Sequence, residues 1–189
     1  MNKIRNHSKE LIILTILLAV AVSVVNAAVF VYYPISITAE WKKPPVRFDT
    51  GSNAGKADLS DTITVTPGDD GASVAIIVHP SRRQTTYYKN ITLIINDDNK
   101  NYYYGFNVTQ AFNPSGPIEE AVLIVRQLTG GDPIVTVDLK STGPQGWGQT
   151  LSAGGAVRID LRFKINTDTE SAQTALVQLV YSPTYESLP

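Results

Sequence analysis

Ala156-Val157-Arg158-Ile159-Asp160-Leu161-Arg162-Phe163-Lys164-Ile165 alternates between apolar and charged side chains without a break. A period of two marks a strand, because successive side chains point to opposite faces. Val157, Ile159, Leu161, Phe163 and Ile165 are expected to face a core, and Arg158, Asp160, Arg162 and Lys164 to face water. Segments rich in Val, Ile, Thr and Tyr recur at 59–66, 73–78, 86–96, 102–110, 121–127, 134–140 and 175–181. Between them stand Pro67-Gly68-Asp69-Asp70-Gly71, His79-Pro80-Ser81, Asn113-Pro114-Ser115-Gly116-Pro117, Gly130-Gly131-Asp132-Pro133 and Gly143-Pro144-Gln145-Gly146-Trp147-Gly148, which read as turns. No window of helical length beyond residue 28 keeps a 3.6-residue period. The expected fold is all-β, a β-sandwich with Ig-like or jelly-roll connections.

Three segments carry more detail. In 175–181, Ala175, Val177 and Leu179 oppose Leu176, Gln178 and Val180, so both sides are largely apolar. Such a strand is expected to be central, or covered on both faces. In 134–140, Val135, Val137 and Leu139 share one parity and Ile134 has the other, so a shift is expected near Pro133. Residues 86–96 and 102–110 read as one long hairpin closed by Asp97-Asp98-Asn99-Lys100, since Asn and Asp tolerate left-handed turns. Tyr87, Tyr88, Tyr102, Tyr103 and Tyr104 lie on it, either as cross-strand pairs and core or as an adhesive surface.

The N-terminus follows another pattern. Lys3, Arg5 and Lys9 precede an apolar run over 11–25, a basic region and hydrophobic helix of the kind that directs export. Val25-Asn26-Ala27 places cleavage of a signal peptide, 1–27, between Ala27 and Ala28. The alternative is an uncut anchor over 11–33, long enough to span a bilayer. Lys9-Glu10-Leu11 offers no small residue for type IV pilin processing. Export to the extracellular space or cell surface is expected by either route.

Residues 28–41 come next. Val29, Val31, Tyr33, Ile35, Ile37, Ala39 and Trp41 are all apolar, while the even positions turn polar through Ser36, Thr38 and Glu40. This reads as a strand about 40 Å long at ~3.3 Å per residue, with one continuous apolar face. Pro34 withholds a backbone donor, which suits an edge or a bulge. Residues 42–58, with Lys42-Lys43-Pro44-Pro45 and the glycines 51 and 55, read as hinge and linker, and 59–189 as the sandwich. A strand tethered in this way either folds back or completes the sheet of the next molecule, which is donor-strand complementation. Burying five or six of its side chains contributes on the order of 8–15 kcal/mol, at ~1.5–3 kcal/mol each. The contact is head to tail and does not close, so it generates a filament of identical subunits.

Composition narrows the alternatives. The chain has 189 residues, 16 Lys+Arg against 17 Asp+Glu, two His and no Cys. Disulfides and thiol chemistry are excluded, and His-based catalysis has little material. Cleavage would remove Lys3, Arg5, Lys9 and Glu10, leaving 13 basic and 16 acidic residues, too mild a charge for a nucleic-acid partner. No catalytic residue, metal ligand or cofactor is expected. His79 sits in a turn with no nucleophile elbow nearby. Asp97, Asn99 and Asn101 have alternating oxygens, but Tyr102 stands where a calcium loop needs glycine, so a turn is expected. Trp147 reads as a plug over the core or as a sugar-stacking residue. Asn90-Ile91-Thr92 and Asn107-Val108-Thr109 are N-glycosylation sequons.

Ile91-Thr92-Leu93-Ile94-Ile95-Asn96 and Gly155-Ala156-Val157-Arg158-Ile159-Asp160-Leu161, together with the signal segment and the apolar extended strand, carry a resemblance. The chain resembles the TasA/camelysin family of biofilm fibre proteins, and within it the archaeal bundling-pilus subunits, over most of 28–182. The resemblance implies a secreted structural protein, polymerised by donor strands into a pilus-like fibre that bundles laterally in a biofilm or cell-adhesion layer, without catalytic residues. Thread-type pili are a nearby alternative. A different class of function, a monomeric surface sandwich that binds glycans or proteins, stands beside it.

Overall fold

Residues 11–20 contain neither Gly nor Pro, and Leu, Ile and Ala there lose little freedom in a helix. In the computed structural model, which describes residues 2–25, 33–59, 61–167 and 171–187, this stretch lies within helix α1, Asn2–Val25. Thr15 Oγ1 donates to the Leu11 carbonyl one turn back, at 2.8 Å. Among the described residues no helix is long and apolar enough to cross a membrane. The chain divides into two units, Met1–Trp41 and Lys42–Pro189.

The second unit is built from strands β1 (Val46–Thr50), β2 (Thr64–Pro67), β3 (Val74–Ile77), β4 (Thr85–Asn96), β5 (Tyr102–Gln110), β6 (Ile118–Gln127), β7 (Gly130–Asp138), β8 (Gly143–Leu151), β9 (Ala156–Ile165) and β10 (Leu176–Ser182). They form a five-stranded sheet in the order β1-β4-β9-β6-β7, a three-stranded sheet in the order β10-β5-β8, and the hairpin β2-β3. The pairings within the sheets are antiparallel. The sheets do not close into a barrel, an arrangement compatible with a β-sandwich. β9 obeys its alternation: Val157, Ile159, Leu161 and Phe163 are buried. Ile94 of β4, Val125 of β6, Val137 of β7, and Tyr104, Phe106 and Val108 of β5 join them in one core.

Several expectations change. Residues 42–58 are not linker throughout, because β1 pairs with β4 from Val46↔Asn96 to Thr50↔Thr92. Only Val46 and Phe48 give that strand an apolar face, too short a signal beside Pro44-Pro45. Of 59–66 only the end is strand, with an isolated bridge between Ala57 and Thr62 before it. Gly143–Leu151, read as a turn up to Gly148, is a full strand. Its bulge, with Gly146 at φ 64° and Gly148 at φ 94°, fits over Gly105, where a Cβ would come within 2.7 Å of Trp147 Cα. On β8's other side a Cβ on Gly146 would come within 2.4 Å of Val135 Cγ1, so β8 and β7 close one side of the core.

β4 and β5 are not a hairpin, since they belong to different sheets. Asn96 makes the corner. It is fully buried, and its Nδ2 donates to the carbonyls of Lys100, Leu151 and Ser152 at 2.7, 3.3 and 2.9 Å. Its Oδ1 accepts the Asp98 N–H at 3.0 Å. The Asn96 side chain thus ties the corner to the end of β8, and the backbone bonds Asn96 N to Gly155 O and Gly154 N to Asp98 O reinforce it. Asp160 faces outward as its parity requires, yet it is fully buried, because Tyr87, Arg126 and Arg158 cover it. The largest departure is β10. It lies at an edge of the three-stranded sheet, neither central nor covered on both faces.

Candidate functional site

Tyr33, Ile35, Ile37 and Trp41 have the alternation of a strand, but residues 33–41 are in no strand. Their side chains are 84%, 82%, 87% and 94% exposed. Large apolar groups left in water are the informative kind of exposure when they are contiguous. Val29 and Val31, and the cleavage pair Ala27 and Ala28, lie outside the described residues.

β10 is a second partly exposed apolar feature. It pairs on one side with β5, Val177 opposite Val108, Leu179 opposite Phe106 and Tyr181 opposite Tyr104. Those three partners on β5 are buried, so Val177, Leu179 and Tyr181 also point into the core. They are nevertheless only partly buried. Outward, Leu176 is 51% exposed. Among the described residues no strand pairs with β10's other edge. A free edge presents a row of unpaired N–H and C=O groups, ready to template another strand. The hairpin β2-β3 is hydrogen-bonded to neither large sheet, yet Val65 and Ile76, with Val78 just beyond β3, pack half-buried on the same core.

The stretch before that hairpin is pinned. Asp58 has a side chain 3% exposed; Oδ2 accepts the His79 backbone N–H at 2.7 Å and lies 3.2 Å from His79 Nδ1. The Tyr88 hydroxyl donates to Asp58 at 3.1 Å, and burial followed by this carboxylate pushes that phenol well above its ordinary value. His79 therefore anchors a loop.

The two sequons separate. Asn107 projects from the outer side of β5, where its Nδ2 donates to Gln178 Oε1 at 3.2 Å in an exposed contact. Asn90 sits in a bulge of β4 at φ 45°. Its Nδ2 donates to Ser52, its Oδ1 is buried, and Thr92 of the same sequon is fully buried with its hydroxyl on the Asp49 carbonyl.

The remaining candidates serve the fold. Asn101 Oδ1 accepts the Ala153 N–H at 2.9 Å, and Asp98 accepts the Tyr102 hydroxyl at 2.8 Å. That bond lowers the Asp98 pKa and is the main cause raising Tyr102 to about 12. Trp147 lies on β8, and its indole N–H donates to the Glu186 carbonyl at 2.7 Å, beside the edge-on pair of Tyr103 and Tyr185. Most of the tyrosines counted on the expected hairpin are core: Tyr88, Tyr102 and Tyr104 are buried. Among the described residues no three His, Cys, Asp or Glu side chains gather as a metal site. No protein-family model matches the chain, and no curated protein matches it.

Proposed function

We propose that this protein is a structural subunit of an extracellular filament, in which residues 28–41 of one molecule lie along the free edge of β10 in the next. One observation carries the reading. β10 has the composition of a strand covered on both faces, yet it stands at an open edge with Val177, Leu179 and Tyr181 half in water. The same chain has an apolar ribbon with strand periodicity whose described part is exposed. Laid along β10, that ribbon would hydrogen-bond to its free edge and cover Val177, Leu179 and Tyr181. The two larger sheets would then form a complete sandwich with Ig-like or jelly-roll connections.

The energetics support repeated addition. Tyr33, Ile35 and Ile37 alone would contribute about 4–9 kcal/mol on burial. Association costs ~4–15 kcal/mol, so the ladder hydrogen bonds and the remaining apolar residues of 28–41 are needed for a lasting contact. Each junction leaves one ribbon and one edge unused, and growth continues. Export by the signal segment, a biofilm or adhesion setting, and lateral bundling belong to the same reading. The TasA/camelysin resemblance supports it, and in this reading helix α1 serves as the signal helix.

Deleting residues 28–40 from the exported form tests the proposal. The shortened chain is expected to fold, to remain monomeric, and to bind a synthetic peptide of residues 28–41. Filaments formed by the shortened chain, or a folded chain that ignores the peptide, would refute it.

A further inference from the structure

The outer face of the five-stranded sheet carries a charge imbalance that assembly through β10 does not use. Fully buried Asp160 accepts the Asn90 N–H through Oδ1 at 2.7 Å and the Tyr87 hydroxyl through Oδ2 at 2.8 Å. Two guanidiniums flank it, Arg126 Nε 3.4 Å from Oδ2 and Arg158 Nε 3.3 Å from Oδ1. Their side chains are only 20% and 17% exposed. One carboxylate balances one of them, and a desolvated cation without a counter-charge is costly.

The donors of the two arginines are unequally held. Arg126 Nη1 donates to the Gly131 carbonyl, and its Nε reaches the Tyr87 hydroxyl at 3.3 Å. Arg158 is looser. Its contacts to Leu128 O and Asp160 Oδ2 are both 3.5 Å, and its buried Nε makes no hydrogen bond. Lys89 adds a third cation, with Nζ 5.9 Å from the Tyr87 ring centroid. Tyr87, Lys89, Arg126, Gly131 and Arg158 line a cleft of about 380 Å³, and no acidic residue is in that lining.

We propose that this cleft binds an oxyanion, either free or carried on a ligand no larger than a monosaccharide. Planar guanidinium forks recognise carboxylate and phosphate oxygens in pairs, and Arg158 has poorly engaged donors to offer. The bound anion supplies the charge that Asp160 alone does not. Its source is either an acidic sugar or free phosphate. The cleft volume, at the small end for ligand sites, suits a group of that size.

Isothermal titration calorimetry on the full chain tests this with galacturonate, galactose and inorganic phosphate at matched ionic strength. Galacturonate and phosphate are expected to bind and to compete, and galactose to stay silent. Arg158→Gln and Arg126→Gln each weaken binding about tenfold or more, as losing a charge-assisted hydrogen bond requires. Lys89→Gln, at an exposed position that poses no risk to folding, weakens it several-fold. Arg47→Gln, whose side chain pairs with Asp49 and Asp97 near the far end of β4, leaves binding unchanged. Tighter galacturonate than phosphate assigns an acidic sugar, and the reverse assigns free phosphate. No binding of either anion at millimolar concentration overturns the proposal, as does binding that Lys89→Gln and Arg158→Gln leave intact.

Discussion

Ile35→Asp combined with Ile37→Asp distinguishes a ribbon meant for a neighbour from a strand of the molecule's own fold. In the single molecule these side chains are 82% and 87% exposed. Their replacement should therefore change the stability of the β unit by less than about 0.5 kcal/mol. In an assembled pair both would be buried, and losing them removes about 3–6 kcal/mol at ~1.5–3 kcal/mol each. A carboxylate buried in that contact adds a desolvation cost in the same direction. At about 1.4 kcal/mol per factor of ten, the association constant falls by roughly two to four powers of ten. Sedimentation velocity and negative-stain microscopy read the polymer, and thermal unfolding reads the fold. The expected result is a monomer with an unchanged melting temperature. Normal filaments would refute the reasoning. A monomer destabilised by several kcal/mol would refute it too, because the segment would then belong to its own core.

Three further outcomes follow from the buried polar groups. Tyr104 is fully buried with an unpartnered hydroxyl, and burial pushes its pKa up to about 12 from 10.0. A raised folded pKa gives stability that is intact below pH 10 and lost as pH rises toward 12, about 2–3 kcal/mol for this group. Tyr104→Phe should therefore match or exceed the wild type near pH 7 and soften the alkaline unfolding transition, as followed by circular dichroism. Asn96→Ala removes the three donations and one acceptance that turn the chain between sheets, costing about 3 kcal/mol, or about 6–12 °C in a thermal melt. Where the producing cell glycosylates the chain, glycopeptide mass spectrometry should find the modification on Asn107 and none on Asn90.

Legibility in the sequence followed locality. β9 was readable because five apolar residues alternate with four charged ones, and nothing nonlocal is needed to choose its faces. β1 and β8 were not. Val46 and Phe48 are too few to set a period, and β8 is a strand only because Gly105 lets the Gly146–Gly148 bulge approach. The β4–β5 link looked like a hairpin because turn chemistry is the same at a tight turn and at a corner. The difference lies in Asn96, whose three carbonyl partners include two from the end of β8. Asp160 showed its face but not its burial, since Arg126, Arg158 and Tyr87 reach it from three different strands. The same divide runs through the proposed assembly site. The ribbon 28–41 was visible as a pattern, whereas the free edge of β10 depends on which strands do not pair with it.

Cross-linking two distinguishable molecules tests the central claim most directly. The chain has no cysteine, so each substitution introduces the one thiol present. Chains carrying Ile37→Cys are assembled with differently tagged chains carrying Leu179→Cys, and a short bismaleimide is added. The account predicts a covalent heterodimer bearing both tags, formed only under conditions that give filaments. Filaments that yield no heterodimer, while a doubly substituted chain links within itself, would contradict it.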